Sequence, residues 1–372
     1  MKSDWCLYWD GYGLGAPNSG IFVHGYNLAK ELCALGVEPH LIGDARTLAH
    51  FPFLVGSLIR PSMVTSWLPM NKLFWHNGVF RAIKAESAEA GGKPIIVHGL
   101  SNFNIPPQKR GRWRRVITIH DLIPLLAPTE VSKSQHLQAR LLIPRAIKVA
   151  DRIVCVSEWT KRTILEFMPE VADKVRVIRN GLTGRVLDFS PKKDLGDSVR
   201  ILFVARFETY KGHELLVELM RKSNLDLKLA VITDARGLGF WKQVCPEEIV
   251  QGKISVRTGV YGPELTAAYR DADVYLSPSR YEGFCLPALE ALCAGVPVVY
   301  RAGSGIDEVA GRIASVAVHD PSKVLDWDIA ITEAVQLRKS RDFEVKLKGY
   351  LDSLPTWKEA ASQLLSLYNE LV

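Results

Sequence analysis

Apolar residues along this chain fall into short runs separated by longer segments of helical period. The leading run, Trp5–Trp9, reads as a strand, and a glycine-rich stretch from Gly11 to Gly20 follows it. Phe22, Tyr26, Ala29 and Cys33 then recur close to a 3.6-residue period, which predicts a helix from Ile21 to Leu35 with Gly36 as its C-terminal stop. Pro39–Gly43 is the next predicted strand, giving a βαβ start with a glycine-rich turn. Further strands are predicted at Pro94–His98, Val116–Ile119, Arg152–Val156 and Val175–Ile178. Strands alternating with helices imply a parallel sheet covered on both faces.

The pattern then restarts. Between Asn180 and Arg200 the chain turns polar, with Gly181, Gly184, Pro191, Lys192, Lys193, Asp194 and Gly196, the composition of a linker. A second series follows: Arg200–Ala205, Leu227–Thr233, Ile254–Thr258, Val274–Pro278, Val296–Arg301 and Ser315–Val318. Pro263 suits the first position of a helix, and the last helix runs from about Thr356 to Leu371. The expected architecture is α/β, two doubly wound Rossmann-like domains in tandem. The first covers 1–188 and the second 198–355, with 356–372 returning to the first. Ligands of such sheets bind beyond the carboxyl ends of the strands, so two facing domains would enclose a cleft there.

With 372 residues, the chain is too long for one ordinary core and suits two. No apolar run approaches the roughly 20 residues of a membrane span, and Trp5–Trp9 is too short for a signal peptide, so a cytoplasmic protein is expected. The six cysteines (Cys6, Cys33, Cys155, Cys245, Cys285, Cys293) form no Cys-x-x-Cys pair, and no His cluster has zinc spacing; they read as reduced. The net charge of +7 admits a phosphorylated substrate, an anionic membrane or nucleic acid, and does not choose among them.

Three segments carry candidate chemistry. In Ser279-Arg-Tyr-Glu282-Gly-Phe-Cys-Leu-Pro-Ala-Leu-Glu290, a strand gives way to a helix beginning near Leu286. The unpaired N–H groups of a helix start bind anions, and two carboxylates around it accept hydrogen bonds from sugar hydroxyls. Alone, such glutamates are ordinary solvated acids, favoured near a helix N-terminus in any case. In Ile201-Leu-Phe-Val-Ala-Arg206-Phe-Glu-Thr-Tyr-Lys211-Gly-His213, a strand delivers two cations into the loop at its end, suited to a diphosphate leaving group. In Val116-Ile-Thr-Ile-His120-Asp121-Leu-Ile-Pro124, a histidine follows a strand.

Together these strings resemble the retaining GT-B glycosyltransferases of the family 4 (group 1) type, which include bacterial cell-envelope mannosyl- and rhamnosyltransferases. Ser279–Pro297 is similar to the EGFGLPxLEA signature, with Cys285 where Gly is commoner. The stretch Arg206–Gly212 resembles the family's diphosphate-binding segment, and Val116–Pro124 its "tiHDLiPl" string. Weaker likenesses lie at Ser157-Glu158-Trp159, Arg179-Asn180-Gly181, Tyr261 and Gly303–Glu308, so the likeness runs along nearly the whole chain. The resemblance implies a nucleotide-diphosphate-sugar donor, a glycan or lipid-linked glycan acceptor, front-face transfer with retention, and no cofactor or metal. It implies that Arg206 and Lys211 hold the diphosphate, Glu290 the ribose, and Glu282 with Gly283, Phe284, Cys285 and Leu286 the sugar. Gly20 would approach the phosphate, Tyr261 the base, and His120 the transferred sugar. The string around His120 favours a GDP-mannose-type donor. Two other readings share these residues: a GT-B sugar-nucleotide epimerase and a non-catalytic binding subunit.

Asp271-Ala-Asp273 could pass for a metal-binding Asp-x-Asp, but it falls between a helix end and a strand start, without the usual loop. Lys109-Arg110-Gly-Arg112-Trp113-Arg114-Arg115 packs five cations and a Trp into seven residues. Such a run suits a solvated loop first, then an anionic membrane surface with Trp113 at the interface, and least of all RNA. The apolar stretch Phe51–Trp75 is a candidate acceptor-side or lipid-facing lobe, or ordinary core.

Overall fold

The structure is a computed structural model describing residues 4–17, 19–58, 70–87, 91–105, 113–182, 198–311, 313–340 and 342–372, without the side chains of 70–74 and 87. Most of the proposed linker, and with it Lys109, Arg110, Arg112 and Trp67, lies outside the described residues. The chain divides into two compact units, Met1–Gly181 with Pro355–Val372, and Leu182–Leu354.

The first unit is built on a seven-stranded sheet. Its strands are β1 (Cys6–Asp10), β2 (His40–Gly43), β3 (Gly56–Leu58), β4 (Ile95–Gly99), β5 (Trp113–Ile119), β6 (Arg152–Cys155) and β7 (Val175–Val177), in the order β3-β2-β1-β4-β5-β6-β7. Every pairing is parallel. The order reverses between β1 and β4, so their carboxyl ends form the ligand-binding crevice of this sheet type. β3 has only three residues on the sheet edge, too few for a readable alternation.

The first helix, Gly20–Ala34, buries His24, Gly25, Leu28, Ala29 and Leu32, a phase turned from the one its aromatics suggest. Phe22 and Tyr26 stack on each other on its flank and meet Phe51 there. The C-terminal helix, Trp357–Asn369, supplies the reason, because it packs on this helix and takes its apolar face. A capping box between Thr356 and Glu359 starts that helix. Its Tyr368 hydroxyl accepts from Trp9 Nε1 at 3.3 Å and lies 2.5 Å from His98 Nδ1. Gly181 makes the approach possible, since a Cβ there would sit 2.1 Å from the Trp357 nitrogen.

The basic run is corrected by β5. Trp113 is buried in the core against Val97, Ile95 and Phe80 rather than lying at an interface. Arg115 is also buried, its backbone N–H donating to Asp151 Oδ2 at 2.8 Å. Arg114 is exposed, but its Nε is engaged by the Leu371 carbonyl at 2.8 Å. A strand that alternates within a covered sheet must bury residues of this kind, and composition hides the fact.

The second unit holds a six-stranded parallel sheet: β8 (Val199–Val204), β9 (Leu227–Thr233), β10 (Ile254–Thr258), β11 (Val274–Ser277), β12 (Val298–Arg301) and β13 (Ser315–Val318), ordered β10-β9-β8-β11-β12-β13. Its core joins Ile201, Phe203, Leu229, Val231, Leu276 and Val299 of the strands to Leu216, Trp241, Trp327 and Ile331 of the covering helices. Here the order reverses between β8 and β11. Asp273, just before β11, is buried and serves the fold. Its carboxylate lies 2.6 Å from Arg200 Nη2 and 3.8 Å from Arg338 Nη1.

Candidate nucleotide-sugar site

The carboxyl ends of β8 and β11 bring the strongest sequence candidates together. After β8 the chain makes a 3-10 turn, Thr209–Lys211, and stops at Gly212 with φ +79°. A Cβ at Gly212 would lie 2.9 Å from the Pro278 carbonyl oxygen, so only glycine lets this turn rest on the loop after β11. The two loops are tied where Arg280 N–H donates to the Tyr210 carbonyl at 2.8 Å. That junction sets Lys211 Nζ 2.7 and 2.8 Å from the two oxygens of Glu282. Their side chains are 19% and 10% exposed, so the pair is largely withdrawn from water. Burial, the largest single effect, lowers the lysine pKa, but the charge and hydrogen bond of Glu282 together with Tyr210 and Cys285 outweigh it and hold the ammonium above its ordinary value. Two residues expected to act separately thus form one ion pair.

Beyond Glu282 the backbone is held tightly. Its carbonyl accepts from Gly305 N–H at 2.8 Å, and a Cβ on Gly305 would meet the Gly283 carbonyl oxygen at 2.2 Å. Gly283 and Phe284 are buried, and Cys285 caps the helix Leu286–Cys293 with φ +74°. Among the described residues it is the only non-glycine at positive φ, which accounts for glycine being the commoner residue there. Leu286 and Pro287 open the helix, whose first N–H groups have no partner within it. One turn later Glu290 receives the Tyr269 hydroxyl on Oε2 at 2.8 Å. Burial raises the Glu290 pKa, and the tyrosine bond offsets part of that rise. Tyr269 itself is fully enclosed, a support that the sequence did not single out.

Arg206 and Tyr261 stand apart from the pair. The Arg206 side chain is exposed and makes no ion pair among the described residues, while its carbonyl accepts from His213 Nε2 at 3.3 Å. The other His213 nitrogen accepts from Trp241 Nε1 at 3.1 Å, so both ring nitrogens are committed. Burial pushes that histidine down to about 4. Tyr261, at 64% exposure, follows β10 next to Gly262. Among the described residues, no three His, Cys, Asp or Glu side chains gather as metal ligands would.

In the first unit, His120 follows β5. Its N–H is held by Asn102 Oδ1 at 2.8 Å, and its Nε2 lies 2.9 Å from the Leu100 carbonyl. A carbonyl only accepts, so Nε2 carries the proton and Nδ1 keeps its lone pair. Burial pushes the His120 pKa down to about 4 and that of His24, whose ring meets it edge-on at 4.9 Å, to about 3. Both rings are therefore neutral near pH 7. Gly20 is the exposed first residue of the helix capped by Ser19, which accepts from Phe22 N–H at 3.1 Å. The glycine loop before it is anchored by Asp10, whose Oδ1 accepts from Tyr12 N–H at 3.0 Å and Trp75 Nε1 at 2.7 Å.

Comparison with known proteins gives the family. The model of Glycosyltransferase Family 4 matches residues 18–183, and that of Glycosyl transferases group 1 matches 187–343. The chain belongs to the family 4 (group 1) glycosyltransferases. An O-antigen chain mannosyltransferase B of Escherichia coli is 24% identical over 75% of each chain. An uncharacterized glycosyltransferase of Methanocaldococcus jannaschii is 32% identical over 42% of this chain and 44% of its own length. The chain thus spans under half of some relatives and three quarters of others. Solved structures give the GT-B fold: a sucrose-phosphate synthase from Thermosynechococcus elongatus (TM-score 0.77, 21% identity, 99% and 98% of the chains) and Anabaena HepE with UDP and glucose (0.73, 14%, 98% and 99%). In this family 4 member, the two half-chain models correspond to two α/β sheets, and no helix among the described residues is long and apolar enough to cross a membrane.

Proposed function

We propose that the chain transfers a hexose from a nucleotide-diphosphate sugar, of GDP-mannose type, to a glycan or lipid-linked glycan in envelope polysaccharide synthesis. Transfer retains the anomeric configuration and needs no divalent metal. The observation that carries this reading is the withdrawn Lys211–Glu282 pair beside the start of the helix Leu286–Cys293, at the strand-order reversal of the second sheet. A cation kept fully charged in a poorly hydrated place opposes the negative charge that grows on a departing diphosphate. Arg206, exposed on the same loop, supplies a second cation. The backbone N–H groups from Gly283 to Leu286 and the Glu282 carboxylate orient sugar hydroxyls, while Glu290 accepts from the ribose. His120 offers its bare Nδ1 to a hydroxyl of the sugar. The leaving phosphate takes the acceptor proton, so the reading requires no protein base. Mannosyltransferases among the relatives support the mannose donor. The working location is the cytoplasmic side, at an anionic membrane surface.

NMR of GDP-mannose incubated with and without a glycan acceptor separates this reading from its rivals. Acceptor-dependent release of GDP with a new glycosidic signal is expected. A new free NDP-sugar formed without acceptor would mark an epimerase, and no turnover under any donor would mark a binding subunit.

Tyr269 gives a narrower prediction. Its hydroxyl holds one oxygen of Glu290, so Tyr269→Phe frees that carboxylate to turn. The KM for donor rises about tenfold, as for a lost hydrogen bond to a charged group, with kcat little changed. The discrimination between ribose and 2′-deoxyribose donors narrows with it. A purely structural tyrosine would leave that discrimination intact.

A further inference from the structure

The histidine that the proposed reaction uses, His120, rests on one that it does not. His24 lies in the second turn of the first helix and is 2% exposed, and its ring meets the His120 ring edge-on at 4.9 Å. His120 keeps part of its surface open. A fully buried ring against a partly open one lies on its inner side, so His24 forms a wall behind His120. The His24 Nδ1 lies 2.7 Å from Asn180 Oδ1, and an amide oxygen only accepts, so Nδ1 carries the proton. Nε2 is then bare, and among the described residues it has no hydrogen-bond partner. Trp357 packs against the same ring at 6.1 Å. The helix cannot draw back, because a Cβ on the adjacent Gly25 would already lie 2.7 Å from Leu14 Cδ2.

A site that needed only volume would be filled better by an apolar ring, since a buried nitrogen without a partner is costly. What the histidine adds is a fixed orientation. The main segment of the first unit ends at Gly181 and its return begins at Pro355, so Asn180 and Trp357 hold the ring where the chain leaves this unit and where it comes back. We infer that His24 is a positioning residue for His120: tied to Asn180, it supports the inner side of the His120 ring and excludes water there, so that His120 Nδ1 stays an unprotonated acceptor. The task of that nitrogen, accepting from a sugar hydroxyl, rests on the proposed function; the support itself does not. The other titratable groups facing these rings are His98 of β4 and Tyr368 of the C-terminal helix, which lies against it. Burial holds His98 well below its ordinary value and Tyr368 above its own, so the cluster is neutral throughout.

The test follows the rings by NMR in the full chain carrying isotope-labelled histidine. In the wild type, the nitrogen shifts are expected to report Nδ1–H for His24 and Nε2–H for His120, whether or not any variant folds. His120 should titrate only near its value of about 4. His24→Asn keeps an N–H for Asn180 and removes the ring. Water then reaches the back of His120, the penalty on its charged form shrinks, and its titration moves up by about one to two pH units toward the ordinary 6.5. The acid limb of kcat/KM moves with it, and kcat falls about tenfold while the donor KM stays close to that of the wild type. His24→Phe restores the dry wall, and the titration returns to its wild-type place although Asn180 has lost its partner. A residue that merely filled space would lower Tm when replaced and leave the His120 titration unmoved. An Nε2–H tautomer of His24, an unshifted His120 in folded His24→Asn, or a His24→Phe chain that fails to restore the titration would overturn the inference. Turnover is measured separately. A shifted His120 in a chain that turns over no donor loses the transferase reading and keeps the support, and an unshifted one in an active chain loses the support alone.

Discussion

Replacing Lys211 by alanine lowers turnover by about 10²- to 10³-fold, the scale seen when one preorganised charge is removed from a developing anion. The loss exceeds that of a solvated lysine because the site is poorly hydrated and Glu282 accepts the lysine through both oxygens. Without Lys211, the carboxylate is left largely buried and without its countercharge. It then faces an incoming diphosphate with like charge, so donor binding weakens as well. Glu282→Ala has a comparable effect by a different route, because it releases the ammonium and removes the acceptor for sugar hydroxyls. Residues that act as one unit are non-additive, so the double variant falls little below the worse single one. Steady-state kinetics on folded variants decide the matter. Wild-type turnover in Lys211→Ala would remove the pair from the proposed chemistry.

The second large effect falls on a residue with no reactive group. Gly305→Ala would place a methyl 2.2 Å from the Gly283 carbonyl oxygen and 2.7 Å from that of Glu282, both backbone atoms. The loop after β11 must then move, and the bond from Gly305 N–H to the Glu282 carbonyl stretches or breaks. Overpacking of this kind costs about 1–3 kcal/mol of stability. A shift of about 1 Å in a positioning loop costs about 10²-fold in rate. We expect turnover to fall by roughly that factor, with a modest fall in Tm. Gly239→Ala is the control, since nothing lies within 4 Å of its Cβ position and its helix accepts alanine readily. Unchanged kinetics in Gly305→Ala would show that the loop is not held in place by this contact.

Both α/β series were readable because covered parallel strands leave uninterrupted apolar runs, and Leu227–Thr233, Ile254–Thr258 and Ser315–Val318 coincide with β9, β10 and β13. β3 was not readable, for three residues at an edge carry no period. The buried face of the first helix was not readable because its burial is decided by the C-terminal helix, more than 300 positions away in sequence. Charge density around Lys109–Arg115 looked like a surface signal, yet strand pairing buries Trp113 and Arg115. At the site, the sequence displayed Lys211, Glu282 and Glu290 as separate words. That the first two bind each other and that Tyr269 holds the third depend on where β8, β11 and the helix Pro263–Asp271 converge. The unusual φ of Cys285 was visible only as a departure from glycine.

In the proposed reaction a paired lysine and glutamate, without a metal, handle the diphosphate of an activated sugar. Transfer from GDP-mannose to a glycan acceptor in excess EDTA, with the product linkage read by NMR, puts this to the proof. GDP release at an undiminished rate is expected, with a product that keeps the anomeric configuration of the donor. Release abolished by EDTA and restored by Mg²⁺ or Mn²⁺, or a product of inverted configuration, would overturn the proposal.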